Sequence, residues 1–292
     1  MAEFRLKIFL NDSRFSYLSI WLPVVDGSTG KNANFSVEPE MVVREEKFHN
    51  TIAYFKFFRS QLEKTIEIKE EFQLLSLPKI QYLTSFTLKD YKKTEVGREF
   101  IEADNYIQSD NPIFSKIALK FKSESSDVSS WISNIYYYVL SILSYGNPIF
   151  GLYSSVQAFD FRIVDCGGFS TLFCAFLRSL RVPCRVVSGY IITKNGKGVM
   201  HAWSEFLVPD GKWVIADLAM EKLTGKSYFG KIYEDRVIFS KGTDFSLKPA
   251  LPDGEKAAIL QNYCLRLDPN GRLNDLKIDI NLSGSSKKFF FI

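Results

Sequence analysis

The segment from residue 165 to residue 218 constrains the fold of this chain more than any other stretch of the sequence. It begins with apolar residues at the three- and four-residue spacing of a helix that packs along one side, namely Phe169, Leu172, Phe173, Phe176, Leu177 and Leu180. Pro183 ends this helix. Three strand-like runs follow, at 185–192, 201–208 and 212–218, and turn signals at 195–196 and 209–211 separate them. The segment therefore predicts one helix followed by a three-stranded antiparallel meander.

The chain up to residue 104 has a different pattern, in which apolar and polar residues alternate as they do in strands. The expected strands cover 3–10, 17–25, 52–58 and 65–75, with Gly, Asn and Pro between them. Short strands of this kind are typical of a sandwich-like β domain. We therefore expect two domains, an all-β domain at 1–104 and an α+β domain at 105–292.

Two further helices are expected at the start of the second domain. Asn111 is a good N-cap residue, with Pro112 at the first helical position. The next helix has apolar residues at helical spacing from Val128 to Leu143, and Gly146 ends it. The phenylalanines within residues 287–292 are expected to close a strand or to pack on the core.

Composition excludes several classes of protein. With 292 residues, 46% of them hydrophobic and 24% charged, the chain is an ordinary globular protein rather than a disordered one. The net charge of +4 is too small to indicate binding to nucleic acid or to an anionic membrane. The sequence shows neither a secretory signal nor a membrane span. We expect a cytoplasmic protein with no nucleic-acid or membrane partner, and the oligomeric state stays open.

Three polar residues stand where the predicted fold makes them chemically useful. Cys166 lies at a helix N-terminus, where unpaired N–H groups and the helix dipole stabilise a thiolate. His201 begins one strand, and Asp217 lies near the end of the next. A thiol, an imidazole and a carboxylate in this order are the groups of a Cys–His–Asp acyl-transfer site. The alternative is that each residue has a structural role alone.

The length of the turn between the second and third strands decides whether His201 and Asp217 can meet. A two-residue turn places their side chains on opposite faces of the sheet. A three-residue loop, which pairs Val208 with Lys212 and has Gly211 at positive φ, places them diagonally on one face. We predict the three-residue loop.

The proposed roles follow from acyl-transfer chemistry. Cys166 attacks an amide carbonyl, His201 holds the thiolate and protonates the leaving amine, and Asp217 fixes the imidazole tautomer. The backbone N–H of Cys166 would bind the oxyanion, and Gln157 and Tyr153 are candidate side-chain donors. No cofactor or metal is expected, because the chain has no C-x-x-C pair and only two distant histidines. The other three cysteines, Cys174, Cys184 and Cys264, are expected to pack as small apolar residues.

The residues around these three groups resemble the transglutaminase-like superfamily. The resemblance is carried by the blocks DCGGFSTLFCAFLR at 165–178, VPCRVVSGY at 182–190, HAWSE at 201–205 and WVIAD at 213–217. It is strong over residues 155–220 and weaker over 135–145 and 236–247. In that family the matching Cys, His and Asp form the catalytic triad of a papain-like α+β core, in which the nucleophile helix packs on an antiparallel sheet. A β domain often precedes this core in bacterial and archaeal members.

The resemblance implies a cysteine-dependent enzyme that forms a thioester from a peptide-type amide of a protein or peptide substrate. Such an enzyme is a protease, an amidase or a transglutaminase, according to whether water or an amine resolves the thioester. Hydrolysis is favoured because water is always present. Arg181, Cys184 and Leu218 depart from the common Gly, Ala and Pro, and none of them removes a catalytic group. The alternative function is an inactive member of the family that serves as a protein-binding module.

Overall fold

The computed structural model of the chain describes residues 1–10, 15–93, 96–251, 254–268 and 276–284. Its α-helices are α1 (Pro112–Glu124), α2 (Val128–Ile142), α3 (Ser155–Phe161), α4 (Cys166–Ser179) and α5 (Leu218–Thr224). Its strands are β1 (Ala2–Leu10), β2 (Tyr17–Pro23), β3 (Gly30–Phe35), β4 (Met41–Arg44), β5 (Thr51–Phe58), β6 (Thr65–Leu74), β7 (Ser144–Tyr145), β8 (Ile163–Val164), β9 (Cys184–Ile192), β10 (Gly198–Leu207), β11 (Trp213–Ala216), β12 (Asp235–Lys241), β13 (Cys264–Asp268) and β14 (Leu276–Gly284). Short 3-10 helices cover Arg59–Gln61, Leu88–Lys93 and Arg98–Phe100. Within these described ranges, no helix is long and apolar enough to cross a membrane.

The N-terminal strands form the two layers of a sandwich. One layer has the strand order β14-β1-β6-β3, and the other has the order β13-β2-β5-β4. Every second residue of β1 is buried, because alternate side chains of a strand point to opposite faces. Buried side chains of both layers, among them Leu6, Ile8, Ile20 and Phe55, pack into one apolar core. The predicted sandwich-like β region is therefore confirmed.

The last two strands of the chain also belong to this sandwich. β13 pairs with β2, and β14 pairs with β1 over the whole length of β1. Residues from the predicted second domain thus complete both layers of the first. The domain division between residues 104 and 105 stays a prediction. The expected packing of residues 287–292 lies outside the described residues.

Strands β3 and β4 have no counterpart among the predicted strands. Most of their side chains are exposed, so their sequences lack the apolar alternation that identifies a half-buried strand. β3 pairs with β6, and β4 pairs with β5. Their conformation therefore depends on buried neighbouring strands and not on a pattern of their own.

The second half of the chain is built on an antiparallel sheet with the order β11-β10-β9-β12. One face of this sheet packs against α4 through Val186, Ala202 and Phe206. The opposite face carries a separate apolar cluster that includes Trp203 and Ile215. The predicted meander of β9, β10 and β11 is confirmed, as is the expected helix packed on an antiparallel sheet, and β12 extends the sheet beside β9.

Helices α1, α2 and α3 pack against α4, which leaves that helix buried over most of its length. The predicted start of α1 is confirmed, because the Asn111 side chain accepts a hydrogen bond from the Ile113 N–H at 3.0 Å. Helix α3 has no counterpart among the predicted helices. It is one short element that begins with a capping box of Ser154 and Gln157.

The predicted strand over 212–218 is too long. β11 ends at Ala216, and Asp217 caps helix α5 by accepting a hydrogen bond from the Met220 N–H at 3.0 Å. A residue that caps a helix leaves the strand conformation, so Leu218 becomes the first residue of α5 instead of the last of a strand.

A buried ion pair ties the segment before α1 to helix α4. The Arg178 guanidinium lies 3.2 Å from Asp104 Oδ2, and both side chains are almost inaccessible. The same carboxylate oxygen accepts a hydrogen bond from the Thr243 hydroxyl at 2.8 Å. Asp104 therefore anchors this segment to the helix that carries Cys166 and to the loop after β12.

Candidate active site

His201 on β10 lies in contact with Asp217 directly after β11. Nε2 of His201 is 2.9 Å from Asp217 Oδ2 and 3.0 Å from Oδ1. Both side chains are buried, with relative exposures of 6% and 1%. Because an ionised carboxylate can only accept hydrogen bonds, Nε2–H is the donor, and Nδ1 is left for a second partner.

The hairpin register that allows this contact is the predicted one. Gly211 has a φ of +85°, and the Val208 N–H donates to the Lys212 carbonyl at 2.9 Å. β10 and β11 then pair Leu207 with Trp213 and continue in that register to the end of β11. The three-residue loop is confirmed, and it puts His201 and Asp217 diagonally on one face of the sheet.

Cys166 is the first residue of α4 and is half-buried. The Asp165 side chain caps the helix: its Oδ1 accepts from the Gly168 N–H at 3.2 Å, and its Oδ2 accepts from the Ile149 N–H at 3.3 Å. The Cys166 thiol is close enough to the His201 ring to contribute to the raised pKa of that ring. Since Nε2 faces Asp217, Nδ1 is the ring nitrogen left to face the thiol. The structure therefore places Cys166 near the His201–Asp217 pair.

The charges of this group reinforce one another. Burial lowers the pKa of His201, but the Asp217 carboxylate and the Cys166 thiol outweigh it and raise the pKa to about 9. Burial raises the pKa of Asp217, but the His201 imidazolium and the Arg236 guanidinium hold it at about 2. Between these two values, His201 and Asp217 form an imidazolium–carboxylate pair. An imidazolium beside a thiol stabilises the thiolate.

Arg236 on β12 is a site residue that the sequence motifs do not indicate. Its guanidinium Nη1 lies 2.7 Å from Asp217 Oδ2, and its side chain is fully buried. The two groups form an ion pair, but their contact does not have the geometry of a hydrogen bond. A charged residue at the head of the apolar run Val237-Ile238-Phe239 was the available signal, because a buried arginine is rare unless it is paired.

Two more residues, Trp203 and Gln261, lie close to His201. The Trp203 ring lies nearly parallel to the His201 ring, with 6.2 Å between ring centroids and 20° between planes. The Gln261 side-chain amide donates to the His201 carbonyl at 2.8 Å and to the Gly189 carbonyl at 3.1 Å. Gln261 therefore bridges β9 and β10 at the level of the imidazole, a long-range role without a local sequence signal.

The two candidate oxyanion donors lie ahead of α4, and the structure gives both of them other partners. The Tyr153 hydroxyl donates to the Asn147 carbonyl at 2.8 Å. The Gln157 side-chain oxygen accepts from the Ser154 N–H at 2.9 Å, as part of the capping box of α3. Both assignments stay predictions. The Cys166 N–H belongs to the first turn of α4, whose N–H groups are not used within the helix.

The remaining cysteines lie outside this group. Cys174 and Cys184 are fully buried, as expected for packing residues, and their sulfur atoms are 3.0 Å apart. Cys264 on β13 is half-buried, and burial raises the pKa of its thiol. Cys264 is therefore a natural reference for the reactivity of Cys166.

Residues 115–218 match the family model of the transglutaminase-like superfamily. The matched residues include Cys166, His201 and Asp217. Over 97% of its length the chain is similar in fold to a candidate cysteine protease from Cytophaga hutchinsonii, of which it also covers 97%, with a TM-score of 0.58 and 16% sequence identity. The periplasmic domain of TgpA from Pseudomonas aeruginosa matches 74% of each chain, with a TM-score of 0.38 and 14% identity. No curated protein matches the chain significantly.

Proposed function

We propose that the chain is a cysteine-dependent enzyme that hydrolyses a peptide-type amide of a protein or peptide substrate through a thioester intermediate. The observation that carries this proposal is the contact of His201 Nε2 with both carboxylate oxygens of Asp217, at 2.9 and 3.0 Å, with the Cys166 thiol close enough to raise the pKa of the ring. This arrangement supplies a nucleophile, a proton carrier and an orienting carboxylate.

The first half-reaction forms the thioester. The Cys166 thiolate attacks the amide carbonyl carbon, and the new C–S bond creates a tetrahedral oxyanion near the Cys166 N–H. The His201 imidazolium then gives its Nδ1 proton to the leaving nitrogen, and the C–N bond breaks. The amine departs, and His201 is left neutral with its Nε2–H still directed at Asp217.

The second half-reaction releases the acyl group. Neutral His201 takes a proton from water at Nδ1, and the resulting hydroxide equivalent attacks the thioester carbon. The C–S bond breaks, the carboxylic acid leaves, and the thiolate–imidazolium pair is restored. A primary amine in place of water gives a new amide by the same steps, so the acceptor distinguishes a hydrolase from a transglutaminase.

The test uses short peptides capped with a fluorogenic amide, with and without a fluorescent primary amine, on the wild type, Cys166→Ala and the matched Cys264→Ala. The proposal expects release of the fluorophore by the wild type and Cys264→Ala, and a loss of more than 100-fold in Cys166→Ala. Incorporation of the amine would replace hydrolysis by amine transfer. A wild type that binds such peptides without turnover would favour the protein-binding module over the enzyme.

A further inference from the structure

Arg236 is a fully buried cation that contacts Asp217. Its Nη1 and the His201 Nε2 contact the same carboxylate oxygen, Asp217 Oδ2, at 2.7 and 2.9 Å. The other carboxylate near the guanidinium, that of Glu234, is 3.9 Å away. The guanidinium also lies over the Trp203 ring, 4.8 Å from its centroid. Asp217 therefore contacts two cationic groups, the His201 imidazolium and the Arg236 guanidinium.

A buried cation is costly unless a nearby charge compensates it, so Arg236 calls for an explanation. With the thiolate and the imidazolium formed, Cys166, His201, Asp217 and Arg236 carry two negative and two positive charges. The set is then neutral overall. Without Arg236 the same buried set would carry one net negative charge, which disfavours the thiolate and holds the proton on His201 more tightly.

The close pairing of β12 with β9 places Arg236 on the same sheet face as His201. On β9, Ile191 pairs with Arg236 of β12, while Gly189 pairs with His201 of β10. A Cβ at Gly189 would lie 1.9 Å from the Val237 carbonyl oxygen, so β12 can approach β9 this closely only beside a glycine. The arginine and the imidazole consequently belong to one face of the sheet, two residues apart along β9.

We propose that Arg236 is a positioning residue of the triad, whose guanidinium holds the Asp217 carboxylate through the oxygen that also contacts His201 and balances its charge. Arg236 thereby sets the pH range over which the thiolate–imidazolium pair exists. The role of that pair in turnover rests on the proposed function, whereas the charge balance itself does not.

Several other titratable groups face this cluster. Glu234 lies beside the guanidinium, and Glu221 and Tyr136 lie near Asp217. Tyr228 hydrogen-bonds to both Glu221 and Glu234. Tyr145 and Asp165 lie near Cys166. Among these groups in the described part of the chain, Glu234 is the carboxylate that directly approaches Arg236. Glu234→Gln is therefore the matched control for a change of charge at the same place.

The test compares Arg236→Met, which removes the charge, with Arg236→Lys, which keeps it, and with Glu234→Gln. The first readout is the NMR titration of the His201 ring, which needs no turnover. In Arg236→Met the midpoint is expected to rise by at least half a pH unit, about threefold in the proton affinity, because a nearby cation is lost. Arg236→Lys is expected to stay within 0.2 units of the wild type, as is Glu234→Gln. A midpoint that is unchanged or falls in a folded Arg236→Met would overturn the proposal.

The second readout is the pH dependence of Cys166 alkylation by iodoacetamide. In Arg236→Met, the pH at which the alkylation rate begins to rise is expected to increase by about one unit. At a fixed pH within that rising part of the profile, the rate is then about tenfold lower than in the wild type. A merely structural role would lower the rate equally at every pH, and Lys would be as harmful as Met. If wild-type Cys166 shows no enhanced reactivity at all, the proposed function fails, and the His201 titration still decides the role of Arg236.

Discussion

Replacement of Asp217 by Asn removes the negative charge beside His201 while it keeps the size of the side chain. Asn is also a good N-cap residue, so it can keep the bond to the Met220 N–H at the start of α5. The pKa of His201 is about 9 in the native protein, against an ordinary value of 6.5. With the carboxylate charge gone, burial is the largest remaining influence, and the pKa of His201 is expected to fall below 6.5.

The rise of the His201 pKa from 6.5 to about 9 corresponds to about 3 kcal/mol, at roughly 1.4 kcal/mol per pH unit. A group whose pKa is raised on folding stabilises the fold fully below its unfolded pKa, and this stabilisation is lost as the pH rises through its folded pKa. Asp217, whose pKa is lowered from 3.8 to about 2, adds stability above 3.8 and loses it as the pH falls through 2. The loss of unfolding free energy in Asp217→Asn is therefore expected to be largest, at about 3 kcal/mol or more, between about pH 4 and 6.5, and to shrink towards pH 9.

The assay is an NMR titration of the imidazole rings together with urea unfolding at pH 5 and pH 9. The chain has two histidines, His49 and His201, so two imidazole signals are followed. We expect His201 to titrate near pH 9 in the wild type and below 6.5 in the variant. A native His201 that titrates below 6.5, or a variant that keeps the native midpoint, would refute the reasoning.

Two further predictions concern stability and substrate contact. Asp104→Ala leaves the buried Arg178 cation without this carboxylate and is expected to lower the unfolding free energy by about 3–5 kcal/mol in urea titrations. The control Glu67→Ala, which loses an exposed ion pair, should change it by less than about 1 kcal/mol. Equal effects of the two variants would contradict the prediction. Phe150 is fully exposed in the loop that hydrogen-bonds to the Asp165 cap of α4. Phe150→Ala is therefore expected to keep the native unfolding midpoint. It is expected to lower kcat/KM for peptide amides by about 5–30-fold, which corresponds to about 1–2 kcal/mol of lost apolar contact with the substrate. The matched change Leu223→Ala, which removes another exposed apolar side chain on α5, should leave kcat/KM unchanged; a kcat/KM that also stays unchanged in Phe150→Ala would exclude this contact.

The parts of the site that could be predicted from the sequence are those fixed by local rules. Helical spacing placed Cys166 at the start of α4, and the length of one turn placed His201 diagonal to Asp217. The contact between these two residues needed only the register of a hairpin, because side chains alternate strictly along a strand.

The parts that could not be predicted depend on pairing between distant segments. Arg236 reaches Asp217 because β12 joins the sheet beside β9, and Gln261 reaches the His201 carbonyl from a loop 60 residues away. Nothing in the local pattern around either residue specifies that partner. Helix α3 is a different case. The residues of its capping box, Ser154 and Gln157, are visible in the sequence, but the helix has only 7 residues and is too short to be distinguished from a loop.

The central claim is that His201 and Asp217 activate Cys166. The most direct test measures the alkylation rate of each cysteine as a function of pH by mass spectrometry, in the wild type and in His201→Ala. Half-buried Cys264 is the internal reference, and buried Cys174 and Cys184 report on the integrity of the fold. We predict that Cys166 alone reacts fast below about pH 7 and that His201→Ala loses this reactivity while Cys264 is unchanged. A Cys166 that reacts no faster than Cys264 below pH 7, with or without His201, would contradict the account.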